Sequence, residues 1–405
     1  MAVGAAAVPV AIGASRPLWR DQSGAPDRPD DVARLTGRGG LVAAEDTDLD
    51  GRAMARSGSG RWSTGELDTE TFRMVGVTWR GTDRPSVRVR TRTAGRWSGW
   101  QPLPLLDDGP DPGDGTDSAA RRGTHPLWVG EADGVEVLLV GTRPAGLRLA
   151  LIDPGRLEQD VRVTASQPAE RPADRTAGRT AAKGQGTTSD DGDGGEDETA
   201  AASRGVPRPE IFTRGDWGAD ESLREKPASL CRTIHQMHVH HTASGNDYSR
   251  DDVPGLIRGF YRYHTQSLGW SDIGYNFLVD RFGRIWVGRA GGAGRPIKGA
   301  HTLGFNNTSF GVAVIGNLEG KEVWGRAVKA LVHLGAWKLD MYDRSPRGSI
   351  RVWSTGSDKY PKGWHKLRVI DGHRDTNDTA CPGQTLYDRI PDIRKRTKKR
   401  IKKLG

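Results

Sequence analysis

Short apolar runs of strand length fill the region from about residue 67 to residue 155. Within the segment 87–92, valine or threonine alternates with arginine, and this period of two is typical of a half-buried β-strand. Glycine, proline and aspartate separate the runs, and the stretch 107–118 is predicted to be a long loop among them. The pattern predicts a small all-β, sandwich-like domain over residues 67–155, with strands within 72–79, 87–93, 127–130, 135–140 and 147–152.

A different pattern begins near residue 208, where strand-like runs alternate with helical ones. After Ser249, a candidate helix cap, apolar residues recur at helical spacing over 253–264, and a second helix is predicted over 323–341. This alternation predicts an α/β domain, with a mixed β-sheet layered by helices, over residues 208–391. Its strands are predicted in 233–242, 275–279, 285–287 and 310–315, with a hairpin formed by 350–354 and 364–369.

The remaining segments lack sustained periodicity. Residues 1–15 are small and apolar and precede Arg16, which matches the hydrophobic part of a signal peptide, although no basic leader precedes it. Either the true start lies upstream of Met1, or the segment is only an alanine-rich tail. We expect residues 16–66 to be irregular. We expect 156–207, whose centre has a block of acids and no aliphatic side chain larger than alanine, to be a disordered linker.

The charge balance indicates an anionic partner. The 405 residues carry a formal charge of +9, and their mean hydropathy is −0.63. Residues 392–405 are predicted to form a basic tail, whose run 394–403 is either a solvated helix end or an attachment to anionic wall polymers. The run lacks the interleaved aromatic residues of a nucleic-acid site, so we expect no nucleic acid partner. No apolar run reaches the length of a membrane span, so we predict no transmembrane segment, and we expect a monomer.

Two motifs in the predicted α/β domain carry candidate metal ligands. The motif VHHTA contains His240, and the motif GHRDTNDTACPG contains His373 and Cys381. Imidazole and thiolate suit zinc, and a catalytic zinc site keeps three protein ligands and one open position. Zinc lowers the pKa of its bound water to about 7, which gives a hydroxide that can attack an amide carbonyl. Tyr275 and Thr379 are the polar candidates for stabilising the oxyanion and handling the proton.

Five sequence blocks occur in one order over about 185 residues. They are RGDWGAD (214–220), HHTA (240–243), GWSDIGYNFLVDRFGRIWVGRAGG (269–292), GAHTLGFNNTSFGVAVIGN (299–317) and GHRDTNDTACPG (372–383). Together these blocks resemble the family of peptidoglycan recognition proteins and type-2, phage-type N-acetylmuramoyl-L-alanine amidases.

The resemblance implies the amidase fold of that family and a secreted zinc hydrolase at the cell wall. The implied substrate is peptidoglycan, through its glycan strand and its stem peptide, and the implied reaction is hydrolysis of the amide between N-acetylmuramic acid and L-alanine. The roles carried over by the resemblance are zinc binding for His240, His373 and Cys381, catalysis for Tyr275 and Thr379, and substrate binding for His301 and Asn306.

The cysteines depart from the family pattern. Similar secreted bacterial members carry a cysteine pair that we would align near Arg250 and Arg281, so this chain lacks that disulfide. If Cys381 binds zinc, we expect Cys231 to be a buried thiol outside any disulfide.

Several other residues have a structural interpretation beside a functional one. His241 should face away from His240 because side chains alternate along a strand, and His238 is either a core histidine or a support for the ligands. His235 and His264 are assigned to structure or surface. In the β domain, either a packed core or a sugar-stacking surface would account for Trp79, Trp97 and Trp100.

Three other functions are alternatives to the amidase. A peptidoglycan-binding module without activity would lack part of the ligand set, and Cys381 and Tyr275 are both present. A thiol hydrolase would use Cys381 as nucleophile and His373 as base, which leaves His240 without a role. A zinc peptidase would cut the stem peptide at another bond.

Overall fold

The computed structural model describes residues 46–50, 54–56, 60–111, 121–165, 205–224 and 226–405. The predicted signal segment, residues 1–15, and most of the predicted linker, residues 166–204, lie outside the described residues. All described residues belong to one unit of the chain, Arg34–Gly405.

Ten antiparallel strands form the N-terminal sheet of the described residues. They are β1 Asp46–Asp48, β2 Ala55–Arg56, β3 Arg61–Ser63, β4 Leu67–Trp79, β5 Ser86–Thr93, β6 Arg96–Trp97, β7 Gln101–Leu103, β8 Arg122–Gly123, β9 Leu127–Val140 and β10 Arg148–Ile152. The order is β1-β10-β4-β9-β3-β2, and β5 also pairs with β9. Along β5 the valines are buried and the arginines between them are half-buried, as the period of two predicts. The prediction of an all-β domain in this half of the chain is therefore confirmed.

The C-terminal half is a mixed sheet covered by helices, as predicted. Its strands are β11 Gln236–His241, β12 Phe277–Val279, β13 Ile285–Val287, β14 Ser309–Val314 and β17 Ile370–Gly372, in the order β13-β12-β14-β11-β17, and a separate hairpin pairs β15 Ser349–Ser354 with β16 Gly363–Arg368. The helices are α1 Glu158–Ala165, α2 Val253–Arg262, α3 Gly325–Asp340, α4 Gln384–Tyr387 and α5 Ile390–Leu404. Strands β12, β14, β11 and β17 run parallel.

Strand β11, which lies between β14 and β17, is buried along its whole length, on both faces of the sheet. Its carboxyl end, together with the segment that follows β17, lies at one edge of the sheet. In a sheet of parallel strands the side chains that leave this edge converge, so ligand sites are commonly found there.

Three segments differ from the sequence prediction. Strands β1 to β3 lie in the region expected to be irregular, because they pair with β10 and β9 at the edges of the first sheet. The predicted linker begins with helix α1, whose Val163 is buried. The predicted basic tail is the last part of α5, because Ile393 and Thr397 are buried on its inner face.

The two halves pack against each other through side chains that follow α2. The Tyr263 hydroxyl donates to the carbonyl oxygens of Val77 and Thr124 in the β domain, at 3.3 and 2.9 Å. A Cβ atom at Gly76 would lie 2.5 Å from the Tyr263 ring, so only glycine allows this approach. Helix α1 is attached by Asp160, which pairs with the buried Arg258 of α2 at 2.7 Å.

Candidate metal centre

Three side chains from two distant segments of the sequence meet at the carboxyl edge of the α/β sheet. His240 comes from the end of β11, His373 begins the 3-10 turn directly after β17, and Cys381 lies in the loop before α4. Their potential ligand atoms all lie within 4.8 Å of one another, and His240 Nδ1 is 3.6 Å from Cys381 Sγ. The structure therefore brings together the three predicted zinc ligands.

The chemistry of this group fits a metal ion. The nitrogen His373 Nδ1 is buried and has no hydrogen-bond partner among the described residues. Burial lowers the pKa of His240 to about 4, so its ring is neutral and able to act as a ligand near pH 7. Two imidazoles and a thiol form a donor set that zinc accepts.

Without a cation, the thiol of Cys381 is a poor nucleophile. Burial raises its pKa well above the ordinary value, and the nearby charge of Asp108 adds to the shift. A cation at the group would favour the thiolate as a ligand. This environment argues against the thiol hydrolase considered above.

An acidic residue that sequence analysis did not identify also enters the group. Asp108 belongs to the β domain, and its side chain is only 2% exposed. Its Oδ1 atom lies 3.3 Å from His240 Nδ1 and 3.1 Å from His373 Nδ1. Asp108 is one of five aspartates in the predicted loop 107–118, and aspartates among glycines and prolines carry no signal that separates a ligand from a solvated turn.

Tyr275 also contacts the group, through Asp108 and His240. Its hydroxyl donates to Asp108 Oδ2 at 2.5 Å, and its ring centroid is 5.6 Å from that of His240. Burial raises the pKa of Tyr275 well above its ordinary value, and the charge of Asp108 adds to the effect. The hydroxyl is therefore a hydrogen-bond donor across the neutral pH range.

His301 and Asn306 support the group from the loop before β14. His240 Nε2 lies 3.2 Å from both His301 Nδ1 and Thr302 Oγ1, which leaves His240 Nδ1 directed at the metal position. Asn306 Oδ1 accepts from the backbone amides of His301 and Thr302 at 2.8 and 3.0 Å. Its amide nitrogen donates to the carbonyl oxygen of Gly109, at 3.0 Å.

Thr379 lies beside the group without contacting the potential ligand atoms in any hydrogen bond of the described residues. Its hydroxyl accepts from the backbone amide of Cys381, at 3.2 Å. This bond orders the loop before the cysteine, and the half-buried hydroxyl lies at the rim of the group.

The other histidines of β11 contact different partners. His238 Nδ1 is 2.8 Å from Asp371 Oδ1, and both side chains are buried. His241 points the other way, and its Nδ1 accepts from the backbone amide of Leu318 at 3.2 Å. His264, also buried, stacks on Trp270 with 4.5 Å between ring centroids.

Arginines and one aromatic ring occupy the region where relatives were expected to carry a disulfide. The guanidinium carbons of Arg250 and Arg281 lie 4.7 and 5.0 Å from the ring centroid of Phe282. No disulfide joins cysteines in the described part of the chain. Cys231 is buried, and its thiol donates to the carbonyl oxygen of Asn306, at 3.4 Å.

The tryptophans of the β domain divide between core and surface. Trp79 is buried, and its indole nitrogen donates to the carbonyl oxygen of Asp83 at 3.0 Å. Arg90 lies over both Trp97 and Trp100, with its guanidinium carbon 5.0 and 5.4 Å from the ring centroids. Arginine therefore covers the two half-buried rings, and the sugar-stacking role stays a prediction.

Within the described residues, no helix combines the length and the apolar character needed to cross a membrane.

Two family descriptions match the chain. Residues 231–384 match the N-acetylmuramoyl-L-alanine amidase family, and residues 64–181 match the family described as Rv3811 N-terminal galactose-binding domain-like.

Similar proteins cover the C-terminal part of the chain. Peptidoglycan recognition protein 1 of Mus musculus is 30% identical over 181 residues, which are 44% of this chain and 85% of that protein. The N-acetylmuramoyl-L-alanine amidase of Homo sapiens is 32% identical over 184 residues, which are 44% of this chain and 27% of that protein. The solved structure of wild-type PGRP-LB from Drosophila is 25% identical, with a TM-score of 0.36, and the match covers 45% of this chain and 92% of that chain.

Proposed function

Because the chain belongs to the family of peptidoglycan recognition proteins and type-2 N-acetylmuramoyl-L-alanine amidases, we propose that it is a zinc-dependent amidase of peptidoglycan. The bond cleaved is the amide between N-acetylmuramic acid and L-alanine. The observation that carries the proposal is the convergence of His240, His373 and Cys381 within 4.8 Å. This donor set fits zinc and is complete in this chain.

His240, His373 and Cys381 would hold the zinc ion. When bound, zinc lowers the pKa of a coordinated water to about 7 and polarises a carbonyl oxygen. The other roles belong to side chains of this chain. His301 and Thr302, which face His240 Nε2 at 3.2 Å, orient that ring.

Tyr275 is the proposed donor to the oxyanion. Its hydroxyl donates to a carboxylate oxygen at 2.5 Å, and a substrate carbonyl oxygen at that position would accept the same bond. The bond strengthens as negative charge develops on the oxygen, which stabilises the transition state.

Asn306 and Thr379 are proposed to contact the substrate at two sides of the metal. The Asn306 amide donates to a peptide carbonyl, that of Gly109, at 3.0 Å, as it would to a carbonyl of the stem peptide. The Thr379 hydroxyl lies at the half-buried rim, beside the expected position of the scissile bond.

The proposal also covers the domain organisation of the chain and the place where the protein acts. We assign the reaction to residues 208–391 and a separate role to the β domain, with the protein acting outside the cell on wall peptidoglycan. The exposed basic side chains of α5, such as Lys398 and Lys399, could meet anionic wall polymers through their charge.

The direct test uses the full chain and a defined muramoyl-peptide. Protein loaded with zinc and protein freed of metal by a chelator are incubated with the substrate, and products are identified by mass spectrometry. We expect a peptide with a new L-alanine amine, formed only with zinc. Cys381→Ala should abolish the reaction, whereas Cys231→Ala, which changes the other buried cysteine, should retain it.

Two other outcomes would change the assignment. Binding of the substrate without cleavage, by every zinc-loaded variant, would make the chain a recognition protein. Cleavage at another amide of the stem peptide would keep the zinc site and replace the named reaction.

A further inference from the structure

A segment of the β domain fills the space in front of the candidate metal centre. This segment, residues 106–111, is called the plug below. At its start, the Leu106 amide donates to the carbonyl oxygen of Gly123 at 2.9 Å, which ties the plug to the β domain. The Leu106 side chain is buried in a hydrophobic cluster that the two domains share, which includes Met74 of the β domain and Trp270 and Tyr275 of the α/β domain. The plug is therefore part of the β domain in sequence, but it also packs against residues of the α/β domain.

The plug also bonds to the loop that bears the proposed substrate-binding residues. Asn306 donates to the Gly109 carbonyl at 3.0 Å, and the Gly304 amide donates to Asp111 Oδ1 at 2.7 Å. These are backbone carbonyl and carboxylate acceptors, the same groups that a stem peptide offers.

The result is a closed site. His240 and His373 have no exposed surface, and Tyr275 and Cys381 are each 2% exposed. An enzyme that acts on a polymer has to expose these groups to the substrate, so the plug and the proposed substrate cannot occupy the site together.

The two carboxylate oxygens of Asp108 have different surroundings: Oδ2 accepts from the Tyr275 hydroxyl, whereas Oδ1 faces the two histidine nitrogens. Asp108 Oδ1 and His373 Nδ1 are 3.1 Å apart. Yet both atoms are buried without a hydrogen-bond partner among the described residues. A contact this short requires either a proton on the imidazole nitrogen or a metal ion that both atoms bind.

The distances from Asp108 Oδ1 to the two histidine nitrogens also agree with coordination of one metal ion by all three atoms. Two donors that bind one ion at about 2.0–2.1 Å in a tetrahedral site are about 3.3 Å apart. The Oδ1 atom of Asp108 is 3.3 and 3.1 Å from the nitrogen atoms of the two histidines. No lysine or arginine of the described residues forms an ion pair with Asp108, and a metal ion would supply a positive charge beside this buried carboxylate.

We propose that Asp108 is an additional ligand of the metal, supplied by the β domain, and that the plug holds the amidase site closed until it is withdrawn. The inference rests on the proposed function for the identity of the metal and the substrate. It predicts a low basal activity of the wild type, supplied by the minor fraction of molecules in which the plug is withdrawn, because an intramolecular carboxylate otherwise fills the open coordination position of a zinc hydrolase.

The test compares full-length variants loaded with Co²⁺, whose visible spectrum reports its ligands. Asp108→Asn removes the carboxylate charge and keeps the size of the side chain. Asp107→Asn is the matched control, because it removes a neighbouring charge from the plug, while the Asp107 carboxylate pairs with Arg84 at 2.8 Å and forms no hydrogen bond or ion pair with the described residues of the centre. We expect the Asp108 variant to change the spectrum and to bind metal at least about tenfold more weakly in competition with a chelator. The control should match the wild type.

A second measurement needs no variant. Azide added to the Co²⁺-loaded wild-type chain should leave the spectrum unchanged, because Asp108 already fills the position that the anion would take. An azide-dependent spectrum in the wild type, or identical spectra and affinities for Asp108→Asn and wild type, would overturn the inference.

Hydrolysis of the muramoyl-peptide separates this inference from the proposed function. If Asp108→Asn releases the peptide at least about tenfold faster than the wild type, the result supports both the amidase and the plug. A changed metal spectrum without hydrolysis by either protein supports the ligand role of Asp108 and contradicts the amidase. Equal hydrolysis by both proteins, with equal spectra, supports the amidase and contradicts the plug.

Discussion

At the scale of single residues, the site is built from pairs that fix one another. Tyr275 donates to Asp108 at 2.5 Å, and Asn306 accepts two backbone amides while it donates to Gly109. Each hydrogen bond removes a rotamer choice from a buried side chain, so these groups are held in place while the plug occupies the site.

Replacement of Tyr275 by phenylalanine tests the oxyanion role. The variant loses one donor to the developing charge, so we expect the rate constant for hydrolysis to fall about 100-fold or more while zinc binding is kept. The measurement is the turnover of the muramoyl-peptide at saturating substrate. Tyr261→Phe is the control, because its hydroxyl donates to the Asp220 carbonyl, remote from the centre. Equal rates for Tyr275→Phe and wild type would remove the tyrosine from the mechanism.

The sequence predicted the group of His240, His373 and Cys381 because two of its members lie on one short loop in a recognisable motif. Asp108 could not be predicted in the same way. Its relation to the centre depends on how the β domain packs on the α/β domain, and a contact between residues so distant in sequence leaves no local pattern.

At the scale of elements, α5 shows how a charged segment becomes part of the fold. Its sequence is dominated by lysine and arginine, which suggested a tail, yet Ile393 and Thr397 recur one turn apart on a buried face. Their packing places α5 against α3, where a Cβ atom at Gly335 would lie 3.6 Å from the Thr397 methyl. Two buried positions in a long polar run are too few for hydrophobic periodicity alone to predict a packed helix there.

Truncation of Ile393 tests whether α5 supports the domain. Ile393→Ala leaves a cavity in the core, so we expect the free energy of unfolding to fall by about 2–4 kcal/mol. The measurement is a urea denaturation of the full chain. Lys399→Ala, at an exposed position of the same helix, should change the value by less than about 0.5 kcal/mol. Similar effects of the two substitutions would make α5 a surface attachment.

The strands were easier to predict than the edges of the domains. The runs 285–287 and 310–315 fall on β13 and β14 almost residue for residue, because short apolar runs bounded by glycine and asparagine are specific for buried strands. Strands β1 to β3 and helix α1 are short, and partners far along the chain stabilise them, so their own composition did not predict them.

At the scale of the whole molecule, the two halves share one buried boundary. Tyr263 bonds to two carbonyls of the β domain, and Leu106 packs among side chains of the α/β domain. The plug reaches the metal centre only while this boundary is intact. Stability of the boundary and accessibility of the site are therefore coupled.

A single added methyl group tests this coupling. A Cβ atom at Gly76 would lie 2.5 Å from the Tyr263 ring, so Gly76→Ala should lower the melting temperature and, by loosening the plug, increase hydrolysis of the muramoyl-peptide. A loss of about 1–3 kcal/mol is expected from overpacking of this kind. Both quantities are measured on the full chain. Gly99→Ala, with no atom within 4 Å of its added carbon, should change neither the melting temperature nor the rate of hydrolysis. A Gly76→Ala variant with wild-type stability and wild-type activity would contradict the coupling between the boundary and the site.

The arginine-flanked Phe282 has a consequence for how the protein matures. The chain has two cysteines, so the only intramolecular cystine that it can form would join Cys231 to Cys381 and remove a metal ligand. Arg250 and Arg281 lie against Phe282, so this region is packed without a disulfide. In the proposed zinc amidase, oxidation and metallation would compete for the sulfur atom of Cys381, and zinc bound before exposure to an oxidising environment would protect the chain from that crosslink.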